Sequence, residues 1–513
     1  IIVAEAKDNA GFKVRTTRAF YFSFKYYPVD AANPKKGMVP DSIQVFLSKD
    51  FIDDGDHNPN KPDDLATILE KFIDTLDISS LIPSPAASQS GYDVYIKNIS
   101  YGKSQVSLVP IDGGMNIFAR IPNFHADVKL KGNCFLCPNF SGDISASEFN
   151  FKGTIYVSLD ANKQVHAEMA NVQVKIFDLD VDVDGILGWL VGWLIDIIVD
   201  EFASDIEQML EDQIKDMFAS TIEDLMKMLS LNMDFEIPEL VPGMQPTSVF
   251  IMTEPSKLQF YPGGLDLWMD GTIYAAKKIY HTILGSIGRS QCMNINEGKF
   301  VLKKKSEVEF AGWFDLINEA LYSIWAANVL NMTITEEMLG DSTDLTEYGI
   351  TDLNVALDFY LPPILTDCNP ESIVTAQVGD LYVDAKFKMF DVPITMGAFV
   401  SVELTAEFGT TVNEAGNQAI SISLKELKTF EMEIVSVSEE FKGNEAALEQ
   451  LIKDMLLPKL LETLQESASF SFELPELDMS SLDESLPPGI VLKLNLEQLY
   501  KDKGYVTGGG YLQ

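Results

Sequence analysis

The chain has 513 residues, of which 46% are hydrophobic and 22% charged, a composition typical of an ordered globular protein. This length predicts two or three domains. The formal net charge of −39 argues against nucleic-acid binding, because such a field repels phosphates at long range.

The acidic charge also suits a secreted or periplasmic, in any case extracytoplasmic, protein. The chain starts abruptly at Ile1–Val3, and we expect a leader to have been removed there. Glycosylation sequons begin at Asn98, Asn139 and Asn331, although such sequons also arise by chance.

We interpret residues 1–60 as an N-terminal extension. Residues Arg18–Tyr27 alternate weakly, which predicts a strand. An acidic loop follows, in which oxygen-bearing side chains recur at every second position, as they do in a calcium loop. These side chains are Asp54, Asp56, Asn58 and Asn60. The loop lacks the glycine and the final glutamate of an EF-hand, so we favour the alternative of a solvated acidic turn.

The next predicted elements are a helix and an antiparallel meander. The helix runs from Pro62 to Asp77 and has an apolar stripe along one face. The stripe consists of Leu65, Leu69, Phe72, Ile73 and Leu76. Six strand-like segments lie between Tyr92 and Val174, separated by glycine, proline or asparagine turns. Residues Phe177–Asp184 then alternate aspartate with apolar residues, which predicts a strand with a solvated face; a metal cluster is the alternative.

The longest predicted element is a helix over Gly185–Leu229, about 65 Å at 1.5 Å per residue. A membrane span is a poor alternative, because the charge-free run ends at Ile195 and Asp196 follows. The helix needs a long apolar partner, and the flanking strands predict that this partner is a strongly curved sheet. The apolar positions that we expect to face a ligand are Leu190, Leu194, Ile198 and Phe202.

The second half repeats this arrangement. A helix is predicted over Trp313–Leu330, then long alternating strands, then a second amphipathic helix over Glu445–Glu466. The inner positions that we single out are Leu316, Leu321, Ile324, Leu451 and Met455. The motif Phe-Glu-Ile/Leu-Pro-Glu-Leu begins at Phe235 and again at Phe472, 237 residues later. This repetition predicts an internal tandem duplication.

The four cysteines are Cys134, Cys137, Cys292 and Cys368. A zinc site would need two close pairs, and the second pair is missing. We predict one local bridge between Cys134 and Cys137 and a second bridge between Cys292 and Cys368. Four reduced structural thiols are the alternative.

Several stretches resemble the bactericidal permeability-increasing, lipopolysaccharide-binding and phospholipid- and cholesteryl-ester-transfer family, the tubular lipid-binding proteins. Residues Lys97–Pro110 are similar to the first barrel strands of that family, and Gly192–Ile195 resembles the start of its long helix. Residues Leu265–Tyr274 resemble the first strand of its second barrel, and Val308–Met338 the helix and strand that follow it. The resemblance covers residues 63–513 and lies in the order of the elements.

The resemblance implies an α+β fold with two tandem, highly curved antiparallel β-barrels, each wrapped around a long amphipathic helix, and a central sheet that joins them into a boomerang. The implied divisions are 1–60 (extension), 61–234 (first barrel), 235–247 (proline-rich linker) and 248–513 (second barrel). Each barrel would hold one amphiphilic lipid. The family's disulfide from a strand to the long helix is absent here, because that helix has no cysteine.

Three classes of function remain. We favour a lipid-binding or lipid-transfer protein, a monomer that holds phospholipid-like, fatty-acyl or sterol-like ligands and touches membranes transiently. It would have no cofactor besides bound lipid and, through the acidic loop, calcium. The alternative is recognition of lipopolysaccharide or of a membrane, as in an antimicrobial protein, but this role needs clustered cations and the arginines are scattered. An enzyme is disfavoured, since the four histidines show no ligand spacing and no nucleophile elbow occurs.

Overall fold

The structure is a computed structural model. It describes residues 1–7, 9, 13–75, 84–89, 91–134, 137–183, 215, 219, 222–223, 232–237, 247–276, 282–289, 300–336, 349–368, 373–412, 418–456, 469–473, 476–478 and 491–512. These residues form a sheet-rich α+β fold, and all of their strand pairs are antiparallel. Within this part of the chain, no helix has the length and hydropathy that a membrane crossing requires.

The N-terminal residues form a hairpin and a short strand. The elements are β1 (Ile2–Lys7), β2 (Lys13–Arg18), β3 (Tyr26–Pro28), a 3-10 turn (Pro34–Gly37), β4 (Val39–Ser48) and α1 (Lys49–Ile52). The strand predicted over Arg18–Tyr27 is largely wrong. Residues 19–25 lie between β2 and β3 and belong to none of the described sheets. Instead of a ladder of strand hydrogen bonds, their backbone makes single hydrogen bonds, from Ala19 to Asp380 and from Gly288 to Lys25.

The first sheet has seven strands and is covered by the helix α2 (Leu65–Thr75). The strands are β5 (Ala87–Gln89), β6 (Tyr92–Ser100), β7 (Gln105–Ile111), β8 (Gly114–Gly132), β9 (Phe140–Leu159), β10 (Val165–Phe177) and β11 (Asp180–Val183). Their order is β10-β9-β8-β6-β5, with β7 also on β8 and β11 also on β9. The predicted meander is confirmed, and so is the helix before it, of which residues 76 and 77 lie outside the described residues.

Three asparagines mark the bends of this sheet. Asn98, Asn123 and Asn171 have φ values of 50°, 54° and 55°. Asn98 and Asn171 lie at shifts of strand register, and Asn123 lies where β8 changes its partner strand. Asparagine tolerates this left-handed conformation better than most residues do. Before Asn123, β8 pairs with β7, and after it β8 pairs with β6. The bend therefore divides one continuous sheet into two arms.

The central sheet has eight strands. Besides β4 they are β12 (Asn232–Ile237), β13 (Thr247–Tyr261), β14 (Gly264–Ala275), β16 (Val308–Trp313), β24 (Glu476–Asp478), β25 (Val491–Asp502) and β26 (Tyr505–Leu512). Their order, β12-β13-β14-β4-β16-β26-β25-β24, is symmetric about the β4–β16 pair: each of these two strands adjoins a hairpin and then a short edge strand.

Strand β4 belongs to the residues that we predicted to be an extension, yet it is one of the two middle strands. Both of its faces are covered: Phe46 packs with Phe300 and Tyr505, and Leu47 packs into the cluster under α2. A strand that is buried on both faces lacks a clear alternation, which is why the sequence pattern missed it. The predicted domain boundaries stay a prediction.

The second sheet has the longest strands. They are β17 (Met332–Thr335), β18 (Ile350–Phe359), β19 (Ile364–Thr366), β20 (Ile373–Met389), β21 (Val392–Val412), β22 (Gln418–Val437) and β23 (Ser469–Glu473). Their order is β17-β18-β20-β21-β22-β23, with β19 also on β20. In the described part of the chain neither this sheet nor the first one closes on itself.

Two further helices lie beside the sheets. The helix α3 (Phe314–Ala326) confirms the one predicted over residues 313–330, and α4 (Glu445–Leu451) begins the one predicted over residues 445–466. A π turn, Ile452–Leu456, follows α4. Of the predicted 45-residue helix, the structure describes Lys215, Ala219, Ile222 and Glu223, which are all helical. A two-stranded ribbon of β3 with β15 (Gly285–Ile287) completes the elements.

Candidate functional site

The inner face of the first sheet is the best-defined apolar surface of the molecule. Along its strands every second side chain is buried and the side chains between them are exposed or half-exposed, as in Val165–Met169. The buried side chains that form one cluster with α2 are Val106, Leu108, Met115, Ile117, Ala119, Phe151, Ile155, Val157, Val165, Ala167, Met169 and Val174. Small alanines alternate with large residues, so the surface is uneven in depth.

Helix α2 lies on this face with the stripe that the sequence predicts. Leu65, Leu69, Phe72 and Ile73 are all at most 5% exposed and belong to the same cluster. The helix begins after Asp64, whose Oδ1 accepts a hydrogen bond from the Thr67 N–H over 2.6 Å. This is an N-cap, which satisfies a donor that the first helical turn leaves unpaired. Leu76, the last predicted residue of the stripe, lies outside the described residues.

Polar contacts fix the position of α2 against the sheet. The Glu70 carboxylate accepts a hydrogen bond from the Val106 N–H over 2.7 Å and lies 2.8 Å from Nδ1 of His57. Burial raises the pKa of Glu70, since it disfavours the charged form. The Ser104 hydroxyl donates to Oδ1 of Asp74 over 2.7 Å, and the Tyr101 hydroxyl donates to the Ile73 carbonyl over 2.8 Å.

The other half of the predicted first slot is the long helix. The candidate lining residues Leu190, Leu194, Ile198 and Phe202 lie outside the described residues. Further along that helix, Ile222 is fully buried in the same cluster as α2, and Ala219 packs against it. The structure therefore brings four of the predicted lining residues together on the sheet and describes one later turn of the long helix on the same face.

The acidic loop, residues 53–64, is a series of Asx turns. The side-chain oxygens of Asp54, Asp56 and Asn58 each accept a hydrogen bond from the backbone N–H two residues later, over 2.8, 2.8 and 3.1 Å. This i to i+2 geometry requires oxygen-bearing residues at every second position, as a calcium loop also does. The fourth candidate ligand, Asn60, donates the last of these N–H groups. The calcium site stays a prediction.

The predicted lining of a second slot is divided between two clusters. Leu316 and Ile324 on α3 pack against Val249 and Ile273 of the central sheet. Leu451 is half-buried against the second sheet, in the cluster of Phe387, Met396 and Met432. Leu321 is half-buried, and the side chain of Met455 lies outside the described atoms. The apolar residues Leu316 and Ile324 of α3 thus pack on the central sheet, and α4 packs on the second sheet.

Sequence reasoning missed the buried polar residues of α3. Glu319 is fully buried, and its Oε2 accepts a hydrogen bond from the Ile273 N–H over 3.0 Å. Desolvation raises the pKa of Glu319 well above its usual value. Asn318 both donates to the Leu365 carbonyl over 3.0 Å and accepts from its N–H over 2.6 Å. Since Glu319 and Asn318 supply hydrogen-bond partners to backbone groups of Ile273 and Leu365, we assign them a structural role.

The aspartate strand β11 has the predicted orientation. Val181 is buried at 4% exposure, while Asp180 and Asp182 are exposed. Strand pairing places Asp182 opposite Asp143, which in turn lies opposite Asp127. Ligand atoms of His125, Asp127 and Asp143 all lie within 4.8 Å of one another on this outer face.

Three of the four cysteines lie in the described part of the chain, and all three are disulfide-bonded. Cys134 and Cys137 form the predicted local disulfide at the end of the first sheet. Cys368 is also disulfide-bonded. Cys292 lies outside the described residues, so its predicted pairing with Cys368 stays a prediction.

Three comparisons with known proteins give matches only among solved structures. No protein-family model matches the chain. No curated protein matches it either. A lipopolysaccharide binding protein matches over 93% of this chain and 99% of its own, with 15% identity and a TM-score of 0.42. P47 of Clostridium botulinum E1 matches over 92% of this chain and 100% of its own, with 10% identity and a TM-score of 0.27. Latherin matches over 34% of this chain and 85% of its own, with 11% identity and a TM-score of 0.15.

Proposed function

We propose that this chain is an extracytoplasmic lipid-binding or lipid-transfer protein that holds acyl chains against the inner faces of its two long sheets. The observation that carries the proposal is the first sheet: strands of up to 20 residues carry buried apolar side chains in three clusters along their length, and the described helix α2, which has only 11 residues, packs on one of these clusters. A helix of that length covers about 16 Å of a strand that spans more than 60 Å.

The second sheet supports the same function. Its inner-face residues Val355, Leu381, Val383 and Phe430 are only partly buried, although they pack in one apolar cluster. Flexible acyl chains suit such a surface, since Met396 and Met432 adapt to irregular shapes. At about 0.8 kcal/mol per buried CH₂, a sixteen-carbon chain gains about 12 kcal/mol before entropic costs.

We further propose that the two sheets curl into barrels around their long helices and that they arose by tandem duplication. The symmetric strand order of the central sheet about the β4–β16 pair supports duplication, because each half of this sheet consists of a middle strand, a hairpin and an edge strand. The two copies of the hexapeptide do not occupy equivalent strands: Phe235 is in β12 of the central sheet, whereas its counterpart Phe472 is in β23 of the second sheet and Leu477 is in β24. No catalytic arrangement is part of this proposal, and the protein would act as a carrier.

Native mass spectrometry of the purified chain, followed by organic extraction, tests the function. We expect one or two bound phospholipid-like, fatty-acyl or sterol-like molecules per chain. Well-washed protein that contains no lipid and whose extracts hold none would overturn the proposal.

A further inference from the structure

A row of exposed phenylalanines lies on residues 19–26, and the alternation there is the reverse of what burial would produce. Phe20, Phe22 and Phe24 are 66%, 54% and 69% exposed. Between them, Tyr21 and Ser23 are half-buried. Hydrophobic side chains normally take the inner side of such a segment. The exposed row, which we call the aromatic stripe (Phe20, Phe22 and Phe24), therefore has a purpose other than packing within the chain.

The backbone that carries the stripe is firmly held. The Ala19 N–H donates to Oδ1 of Asp380 over 2.7 Å. The Gly288 N–H donates to the Lys25 carbonyl over 3.0 Å, and the Ser23 hydroxyl donates to the Gly288 carbonyl. Since the inward-facing residues are tied to two other segments, the phenyl rings are presented outward on a fixed support.

The charge around the stripe differs from that of the chain as a whole. Residues 1–37 carry seven lysines and arginines against three acidic residues, whereas the whole chain carries 38 against 77. Lys25 lies beside the stripe with Nζ 4.7 Å from the Trp313 ring centre, and Arg289 donates to the Phe22 carbonyl over 3.3 Å. Arg15, Arg18 and Lys35 are ion-paired with Glu431, Glu433 and Glu254. Lys25 and Arg289 are therefore the cations that lie beside the stripe itself.

We infer that the aromatic stripe is the face by which this protein docks on a phospholipid bilayer. Aromatic rings flanked by lysine and arginine are the usual anchors at a membrane interface, where the rings enter the headgroup region and the cations meet phosphates. The inference rests on the proposed function, since a carrier must approach a membrane to exchange its lipid. A second copy of the chain would be a competing occupant, but a row of protruding rings with adjacent cations fits a bilayer better.

The test measures partition of the full chain onto phosphatidylcholine vesicles by co-sedimentation. A stripe variant, Phe20→Ser, Phe22→Ser and Phe24→Ser together, is compared with a control variant, Phe118→Ser, Phe177→Ser and Phe390→Ser. The control phenylalanines are also exposed, at 43%, 42% and 74%, but they belong to three different segments: Phe118 to β8, Phe177 to β10 and Phe390 to the turn between β20 and β21. We expect the stripe variant to lose at least tenfold in partition coefficient and the control variant less than twofold.

Two further measurements keep the outcomes apart. Phe22→Trp should gain fluorescence quenching by brominated phosphatidylcholine, and Phe390→Trp should not. Light scattering after size exclusion reports association of copies. Equal losses in both triple variants, or a dimer that only the stripe variant dissociates, would overturn the inference. Lipid extracted from the parent and from both variants is measured in parallel. If the parent docks through the stripe but contains no lipid, the docking inference stands and the proposed function is refuted.

Discussion

The carboxylate of Glu70, in the middle of α2, accepts a hydrogen bond from the backbone N–H of Val106, on the free edge of β7, over 2.7 Å. Asp53 does the same for the next edge donor, the Leu108 N–H, over 2.7 Å. Two carboxylates thereby satisfy the edge of β7, which would otherwise be open to pairing with another chain. The same contacts set how deeply α2 lies on the apolar face.

The first prediction concerns this contact. Glu70→Ala leaves the buried Val106 N–H without a partner and should lower the free energy of unfolding by about 2 kcal/mol. Glu70→Gln keeps a carbonyl acceptor and should lose less than half of that. Urea unfolding midpoints of the three proteins measure the difference. Equal midpoints for the alanine and glutamine variants would show that the hydrogen bond contributes little.

The second prediction concerns pH. Burial, and secondarily the nearby Asp63, raise the pKa of Glu307 to about 7, against 4.5 for an ordinary glutamate. The folded state therefore binds this proton more tightly than the unfolded state does, so the contribution of Glu307 to stability is complete below about pH 4.5 and is lost as pH rises to about 7.

Glu307→Gln removes this dependence and retains an acceptor for the Leu512 backbone. The variant should unfold at a higher temperature than the parent at pH 8, and the difference should shrink towards pH 5. Thermal scans at both pH values check this. A difference that is the same at pH 5 and pH 8 would contradict the raised pKa.

The third prediction distinguishes a lipid-lined face from a closed core. Ala167 faces inward and is 4% exposed, and its neighbour Glu168 is exposed. In a closed core Ala167→Trp would overpack the site and cost about 1–3 kcal/mol of stability. If acyl chains fill the space, the indole should displace lipid, and we expect the extracted lipid per chain to fall by at least half with little loss of stability. Glu168→Trp is the matched control and should change neither quantity.

The fourth prediction concerns salt. With a net charge of −39, docking on anionic vesicles should be weak at low salt and should improve as salt screens the repulsion. Lipid already bound should stay bound, because modest salt does not weaken apolar burial. The comparison is run first in chelator and then in calcium, since Asp54 and Asp56 could bridge to phosphates. Tight docking at low salt without calcium, lost on adding salt, would favour the lipopolysaccharide-recognition alternative.

The local patterns of the sequence determined much of the site in advance. Leu65, Leu69, Phe72 and Ile73 recur at helical spacing, and the structure buries all four on one face of α2. The strands between Tyr92 and Val174 alternate with a period of two, and part of their buried residues form the cluster that α2 covers. Such patterns are readable because each element has one apolar face and one solvated face.

Other features depend on contacts that are distant in sequence. Strand β4 occupies the middle of the central sheet because Phe46 and Leu47 find partners on opposite faces, and a strand buried twice has no periodic signature. Leu316 lies against the central sheet, and not beside Leu451, because α3 is buried on several sides and only the tertiary arrangement decides which sheet each of its sides contacts. The phenylalanines of the aromatic stripe look like core residues in the sequence. Only the anchoring of Ala19, Ser23 and Lys25 to Asp380 and Gly288 turns them towards solvent, because a backbone held from behind leaves its alternate side chains no inner surface to pack on.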